Sequence, residues 1–316
     1  MNSKSPVTEK QQLREEISRL KKEKNALIMA HYYQRDEIQE IADFIGDSLA
    51  LARQAALTEA DIIVMCGVHF MGETAKILCP GKKVLIPDAN AGCSLADSCD
   101  PEEFETFVNK YPDHTVISYV NTSAAVKALT DIVVTSGNAR KIVDQLPMEE
   151  KIIFGPDKNL GEYINSVTGR NMVLWNGACH VHDRFSLEKI AELKKEHPGA
   201  KILVHPECRR PLQLIADKVG STAALLDFAT KDDAREYIVV TESGILFEMR
   251  KKCPDKVFIA APAEDAECQC NECDFMKMNT LEKVYKALRD ETPEIKVDKE
   301  VAEKAVKSIE RMLEMS

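Results

Sequence analysis

The sequence predicts an α/β protein of three pseudo-threefold-related α/β domains, each a short parallel sheet flanked by helices. Short apolar runs alternate with helical segments along the whole chain, which favours parallel strands covered on both faces. A pattern of strand end, helix and hydroxyl residue recurs at a domain-sized period: the interval from His31 to Ser48 equals that from Tyr119 to Ser136 and from His205 to Thr222. Three cysteines share a second register. Cys93 stands as far ahead of Asp100 as Cys179 does of Ser186 and Cys273 of Thr280, and each of those later residues is a helix-start signal.

Each repeat opens on an apolar strand: Ala26 to Ala30, Val116 to Asn121, and Ile202 to Glu207. A helix follows each, predicted over Glu37 to Phe44, Ala124 to Leu129 and Leu212 to Lys218. These lead to Asp47-Ser48, Thr135-Ser136 and Ser221-Thr222. A second strand follows at Asp61 to Met65, Lys151 to Phe154 and Tyr237 to Val240, then a helix, then the strand that runs toward a cysteine. These last strands are Val84 to Pro87, Val173 to Trp175 and Val257 to Ala260. Residues 1–6 read as disordered, and Thr8 to Lys24 as an amphipathic helix with Leu13, Ile17 and Leu20 on one face. The expected boundaries are 7–99, 100–185 and 186–279 for the repeats. Residues 280–316 form a helical segment expected to pack back on the first repeat.

At 316 residues with a net charge of -10, the chain has room for a large core and no basic block. This argues against nucleic acid or an anionic membrane as partner. No stretch has the length and apolarity of a signal peptide or a membrane span, so the expected location is the cytoplasm. Ten cysteines exceed what packing requires, and in a reducing compartment they point to ligands or catalytic groups rather than disulfides. Cys66, Cys79, Cys99, Cys208 and Cys253 fall outside the register and read as packing residues.

In a doubly covered parallel sheet, ligands gather beyond the carboxyl ends of the strands, where His31, Tyr119, His205 and the three register cysteines all fall. Three thiolates without a fourth protein ligand suit a cubane cluster with one open iron, a Lewis acid. Two other readings of the same triplet stand beside it: a zinc site completed by His180 or His182, or three buried thiols without metal. Ser48, Ser136 and Thr222, each at a helix start, would bind a carboxylate or phosphate through hydroxyl and backbone N–H, or serve as plain caps. His31-Tyr32-Tyr33 and His205-Pro206-Glu207 offer imidazole, phenol and carboxylate for proton transfer. Arg209 and Arg210 either pair with Glu207 or hold an anionic substrate. Function classes open at this point are a small-molecule lyase or condensing enzyme and a non-catalytic iron–sulfur sensor or electron carrier. The carrier would have no use for the His, Tyr, Glu and hydroxyl set.

The ordered motifs His31-Tyr32-Tyr33-Gln34, Asp47-Ser48, Ala91-Gly92-Cys93-Ser94, Tyr119-Val120-Asn121, Thr135-Ser136, Asn176-Gly177-Ala178-Cys179-His180-Val181-His182, His205-Pro206-Glu207 and Met276-Lys277-Met278-Asn279-Thr280-Leu281 resemble the quinolinate synthase family over nearly the whole chain. The resemblance implies an oxygen-sensitive [4Fe-4S] cluster held by Cys93, Cys179 and Cys273. It also implies condensation of iminoaspartate with dihydroxyacetone phosphate to quinolinate, releasing phosphate and two waters, on the route to NAD. It further implies that His31, Ser48, Tyr119, Val120, Asn121, Ser136, His182, His205, Pro206, Glu207, Arg210 and Thr222 surround the substrates. Of these, His31, His205 and Glu207 act with Tyr33 in proton transfer, and a functional link to the enzyme supplying iminoaspartate is expected. The run Cys268-Gln269-Cys270-Asn271-Glu272-Cys273 departs from the spacing common in that family. Only Cys273 of the three keeps the register.

Overall fold

A computed structural model describes residues 9–264 and 271–316. The expected disordered start, Cys268 and Cys270 lie outside these described residues.

The first repeat runs α1 (Glu9–Glu23), β1 (Ala26–His31), α2 (Asp36–Ile41), β2 (Phe44–Gly46), α3 (Ser48–Leu57), β3 (Ile62–Cys66), α4 (His69–Leu78), β4 (Lys83–Leu85) and α5 (Ser94–Asp97). The second runs α6 (Pro101–Val108), β5 (Thr115–Tyr119), α7 (Ala124–Ala128), β6 (Ile132–Val134), α8 (Ala139–Gln145), β7 (Ile152–Gly155), α9 (Lys158–Thr168), β8 (Val173–Leu174) and α10 (His180–Asp183). The third runs α11 (Leu187–Glu196), β9 (Lys201–Val204), α12 (Arg210–Leu214), β10 (Lys218–Val219), α13 (Thr222–Lys231), β11 (Glu236–Val240), α14 (Ile245–Lys252) and β12 (Val257–Ala260). Two helices close the chain, α15 (Leu281–Asp290) and α16 (Lys299–Met315).

The three sheets are copies of one topology. Their strand orders are β2-β1-β3-β4, β6-β5-β7-β8 and β10-β9-β11-β12, and every pairing within them is parallel. The central strands are buried on both faces, as a sheet covered by helices requires: Ile62 to Cys66 and Ile152 to Gly155 are buried throughout. The helix starts read from sequence are capped as expected. Asp100 accepts the amides of Glu102 and Glu103, Ser186 accepts that of Lys189 and Thr280 that of Lys283.

Two expectations are corrected. The helices predicted over Glu37 to Phe44 and Leu212 to Lys218 stop at Ile41 and Leu214. The chain then turns extended at Ala42 (φ -70°, ψ 140°), so that Phe44 pairs with Met29, and Lys218 pairs with Leu203. Edge strands of two or three residues are too short to display a period, which is why β2, β6 and β10 escape a pattern reading. The C-terminal segment does not return to the first repeat as a unit. Helix α15 does lie on α1 and β3, where Leu281, Val284 and Leu288 join Ile17, Leu20 and Ile28. Helix α16 instead lies mainly against α7 and β6 of the second repeat and reaches α4 of the first. Its buried stripe of Ala305, Ile309 and Met312 faces that seam, and Ser308 donates to the Lys127 carbonyl at 3.0 Å.

Lys127, on α7, is fully buried. Its Nζ donates to the Val120 carbonyl at 2.8 Å and to that of Thr122, and lies 5.4 Å from the centre of the Phe70 ring. Burial lowers its pKa to about 8. Lys127→Met removes the donor while leaving two buried carbonyls without it, so a loss of about 1–3 kcal/mol is expected. Chemical denaturation of the metal-free protein checks this, and a midpoint equal to wild type would show that the ammonium contributes nothing net.

Candidate active site

The carboxyl ends of the central strands of all three sheets converge on one cavity. The first repeat supplies His31, Tyr33, Ser48 and Cys93. The second supplies Tyr119, Asn121, Ser136, Cys179 and His182, and the third His205, Glu207 and Thr222, with Cys273 from the segment before α15. Three expected site residues do not line it. Val120 is buried and borders a separate small pocket that it shares with Ser48, Leu51 and Met65. Pro206 is buried and contributes its carbonyl to the Gln213 side-chain amide at 2.9 Å. Arg210 is exposed at the first position of α12, because the turn after Glu207 carries the chain away from the cavity. Among the described residues no Lys or Arg lines the cavity, whose polar wall is made of hydroxyls, imidazoles, carboxyls and the Asn121 amide.

The hydroxyl residues are placed by helix starts, though not uniformly. Ser48 and Thr222 occupy the first helical position of α3 and α13, and the caps are the residues before them. Asp47 accepts the amide of Ala50 at 3.1 Å, and Ser221 that of Ala224 at 3.3 Å. Ser136 opens no helix. It sits in the turn Thr135 to Asn138 ahead of α8, with its Oγ 3.2 Å from His205 Nε2. Asn121 follows β5, and its side-chain oxygen is buried without a hydrogen-bond partner among the described residues. A buried acceptor left open in a cavity wall suits a donor on a bound small molecule.

At the centre, Glu207 is 2% exposed. Its Oε2 lies 2.9 Å from His182 Nδ1, and its Oε1 accepts the Tyr119 hydroxyl. Burial by itself raises the Glu207 pKa, but His182, His205 and the Tyr119 hydrogen bond outweigh it and hold the carboxylate down to about 2. His182 extends the network from its other nitrogen: Nε2 lies 2.9 Å from Thr241 Oγ1, and Thr241 Oγ1 lies 2.7 Å from the Tyr33 hydroxyl. Tyr33 also meets Thr222 Oγ1 at 2.7 Å. Burial pushes the Tyr33 and Tyr119 phenols well above their ordinary range, so both stay protonated donors. Burial likewise lowers His31 and His205 to about 3, so both present neutral imidazole. The His205 ring centroid lies 4.6 Å from that of His182.

The three register cysteines all border this cavity and are free thiols. Burial raises Cys93 to about 12, Cys273 to about 11 and Cys179 well above the ordinary thiol range. Each pair among the three is close enough to interact electrostatically. Dry, mutually repelling thiols gain most from a cation that draws off their protons, so the donor set fits an iron–sulfur cluster. A second metal-capable group shares one of them: Cys179, His182 and Glu207 have donor atoms within 4.8 Å of one another. Close packing fixes the Cys179 loop. A Cβ at Gly177 would stand 2.7 Å from the Pro156 carbonyl oxygen. The remaining cysteines, Cys66, Cys79, Cys99, Cys208 and Cys253, are buried in the core, as packing predicts.

Several neighbours escaped the reading of the sequence. Thr241 follows β11 without any motif, and only the fold shows that it bridges His182 and Tyr33. Asp47, named in the sequence only as the neighbour of Ser48, is a cavity residue whose carboxyl is pushed up by burial. The contact between Ser94 and His180, both named above for other reasons, is equally a product of the fold: they are hydrogen-bonded to one another across two repeats. Asp157 and Glu242, which carry no motif, accept the backbone N–H groups of Cys179 and Cys273.

A family model described as "Quinolinate synthetase A protein" matches residues 15–314. The quinolinate synthase of Microcystis aeruginosa is 57% identical over 300 residues, covering 95% of this chain and 94% of that protein. Those of Chloroherpeton thalassium and Trichormus variabilis are 55% and 56% identical, covering 96% and 95% of this chain and 94% and 92% of their own.

Proposed function

Because the chain belongs to the quinolinate synthase family, we propose that its cavity condenses iminoaspartate with dihydroxyacetone phosphate to quinolinate, releasing phosphate and two waters. The observation that carries this reading is the meeting, in one buried cavity, of three free thiols with a hydrogen-bonded proton-transfer set. Cys93, Cys179 and Cys273 would hold a [4Fe-4S] cluster. When bound, it supplies a Lewis acid at the iron that no protein side chain ligates.

The protein's own part is binding and proton transfer. Both substrates are anions, and the N-terminal amides of α3 and α13 with Ser48 and Thr222 suit carboxylate or phosphate oxygens. Asn121 presents its open side-chain oxygen to a substrate hydroxyl or imine N–H. Glu207 orients His182 through Nδ1–H, which leaves Nε2 as an acceptor for the Thr241 hydroxyl, and Thr241 in turn accepts from Tyr33. This one-directional chain lets the Tyr33 oxygen take a proton from substrate while its own proton passes to Thr241 and that of Thr241 to His182 Nε2, which leaves an imidazolium beside the Glu207 carboxylate. Neutral His31 and His205 are available as hydrogen-bond partners without adding charge. Iminoaspartate hydrolyses readily in water, so close coupling to the enzyme that supplies it follows from this reading.

Anaerobic purification with iron and sulfide counts, followed by assay with the two substrates, tests the proposal. About four irons and four sulfides per chain with quinolinate formed is the expected result. The Cys179, His182 and Glu207 group favours one alternative, a single metal ion. One metal ion per chain with no sulfide would select it. In Tyr33→Phe, the Thr222 and Thr241 hydroxyls lose their shared partner, and turnover should fall about 10²–10³-fold with cluster content unchanged. Turnover at the wild-type rate would remove the phenol from proton transfer.

No helix among the described residues is long and apolar enough to cross a membrane.

A further inference from the structure

Behind two of the three cysteines stands a buried carboxylate at the same topological position. The third strand of each sheet ends at Cys66, Gly155 and Val240, and the second residue beyond is Val68, Asp157 and Glu242 respectively. Asp157 and Glu242 are both fully buried. Asp157 accepts the Cys179 amide at 3.1 Å with one oxygen and the Leu160 amide at 2.7 Å with the other. Glu242 accepts the Cys273 amide at 3.2 Å with Oε1 and the Gly244 amide at 2.7 Å with Oε2. Each carboxylate therefore spans from its own strand-end turn to the backbone of a cysteine, and each spends both oxygens as acceptors. Lys277 Nζ, 2.8 Å from Glu242 Oε1, also donates to the Tyr33 carbonyl at 2.8 Å, which ties the Cys273 segment to the first repeat. The first repeat has Val68 at this position and makes its tie through backbone, from the His69 amide to the Ala91 carbonyl at 2.7 Å.

We propose that Asp157 and Glu242 are positioning residues that hold Cys179 and Cys273 in ligand geometry by accepting their backbone N–H groups. The proposal rests on the cluster reading above and concerns the backbone ties alone, although Glu242 also borders the cavity while Asp157 does not. Bulk and charge are not what it requires. It requires two acceptor oxygens, because two N–H groups point at each side chain. A carboxamide has nearly the same shape but one acceptor, so it turns an N–H toward an N–H and leaves one tie broken.

The test uses anaerobically reconstituted full-length protein and follows loss of the cluster absorbance under an iron chelator. Asp157→Asn and Glu242→Gln should each lose cluster about 10-fold faster than wild type or more, the range typical of residues that orient metal ligands. They should also alter the electron paramagnetic resonance spectrum of the reduced cluster, and lose cluster faster than Lys127→Met, a core variant whose metal-free form is destabilised by a comparable amount. Asp157→Glu and Glu242→Asp keep both acceptors and should fall between wild type and the amides. The proposal is overturned if the amide variants hold the cluster as long as wild type, or if the carboxylate swaps lose it as fast as the amides. It is also overturned if loss merely follows a lowered melting temperature. A wild-type protein that takes up no iron and sulfide would instead remove the cluster reading, a result distinct from any of these.

Discussion

Cys93→Ser, Cys179→Ser and Cys273→Ser are each expected to yield colourless, inactive protein under anaerobic conditions, while the Cys268→Ser, Cys270→Ser double variant keeps cluster and turnover. A site with three protein anchors has no redundancy. Serine is a poor ligand for iron in place of thiolate, and a cubane held at two corners is lost to solvent or chelator. The expectation is sharpest for Cys273, since it sits in a run of three cysteines and intuition would favour any of them. Its support is positional: Cys273 lines the cavity with Cys93 and Cys179, and Thr280 caps α15 as Asp100 caps α6 and Ser186 caps α11. Iron and sulfide counts on the four proteins decide the matter. A double variant without iron, beside a Cys273→Ser protein that still turns over substrate, would break the register argument.

That register was readable because helix caps and cysteines are both local signals, and a threefold repetition of local signals constrains the global arrangement. The same holds for the strands buried on both faces, whose unbroken apolar runs need no knowledge of partners. What was not legible depends on contacts between repeats. Thr241 carries no pattern, yet it stands between His182 of the second repeat and Tyr33 of the first. Arg210 looked like an anion ligand by its charge and its nearness to Glu207 in sequence. The turn into α12 sends the two side chains opposite ways, one into the cavity and one to solvent. Edge strands of two or three residues leave no periodic trace. The split of the C-terminal segment follows from α16 meeting the seam between α7 and α4, a surface that exists only once the repeats have assembled.

Glu207→Gln should lower turnover about 10²–10⁴-fold while leaving iron and sulfide content unchanged. The His182 and Tyr119 partners favour the Glu207 anion, so its contribution lies in what it does to His182. As an anion it accepts His182 Nδ1–H at 2.9 Å, which fixes the tautomer whose Nε2 receives the Thr241 proton. Glutamine can still accept the Tyr119 hydroxyl with its oxygen, but its amide then faces His182 with an N–H. The imidazole must turn its acceptor inward to Nδ1 and its proton outward to Nε2, and the chain toward Tyr33 then runs the wrong way. Cluster content is measured beside turnover because Glu207 stands in one group with Cys179 and His182, so iron and sulfide at the wild-type level separate the tautomer effect from loss of the site. Two outcomes would remove the tautomer argument: near-normal turnover in Glu207→Gln, or a Thr241→Val variant that turns over at the wild-type rate despite having lost the hydroxyl between His182 and Tyr33.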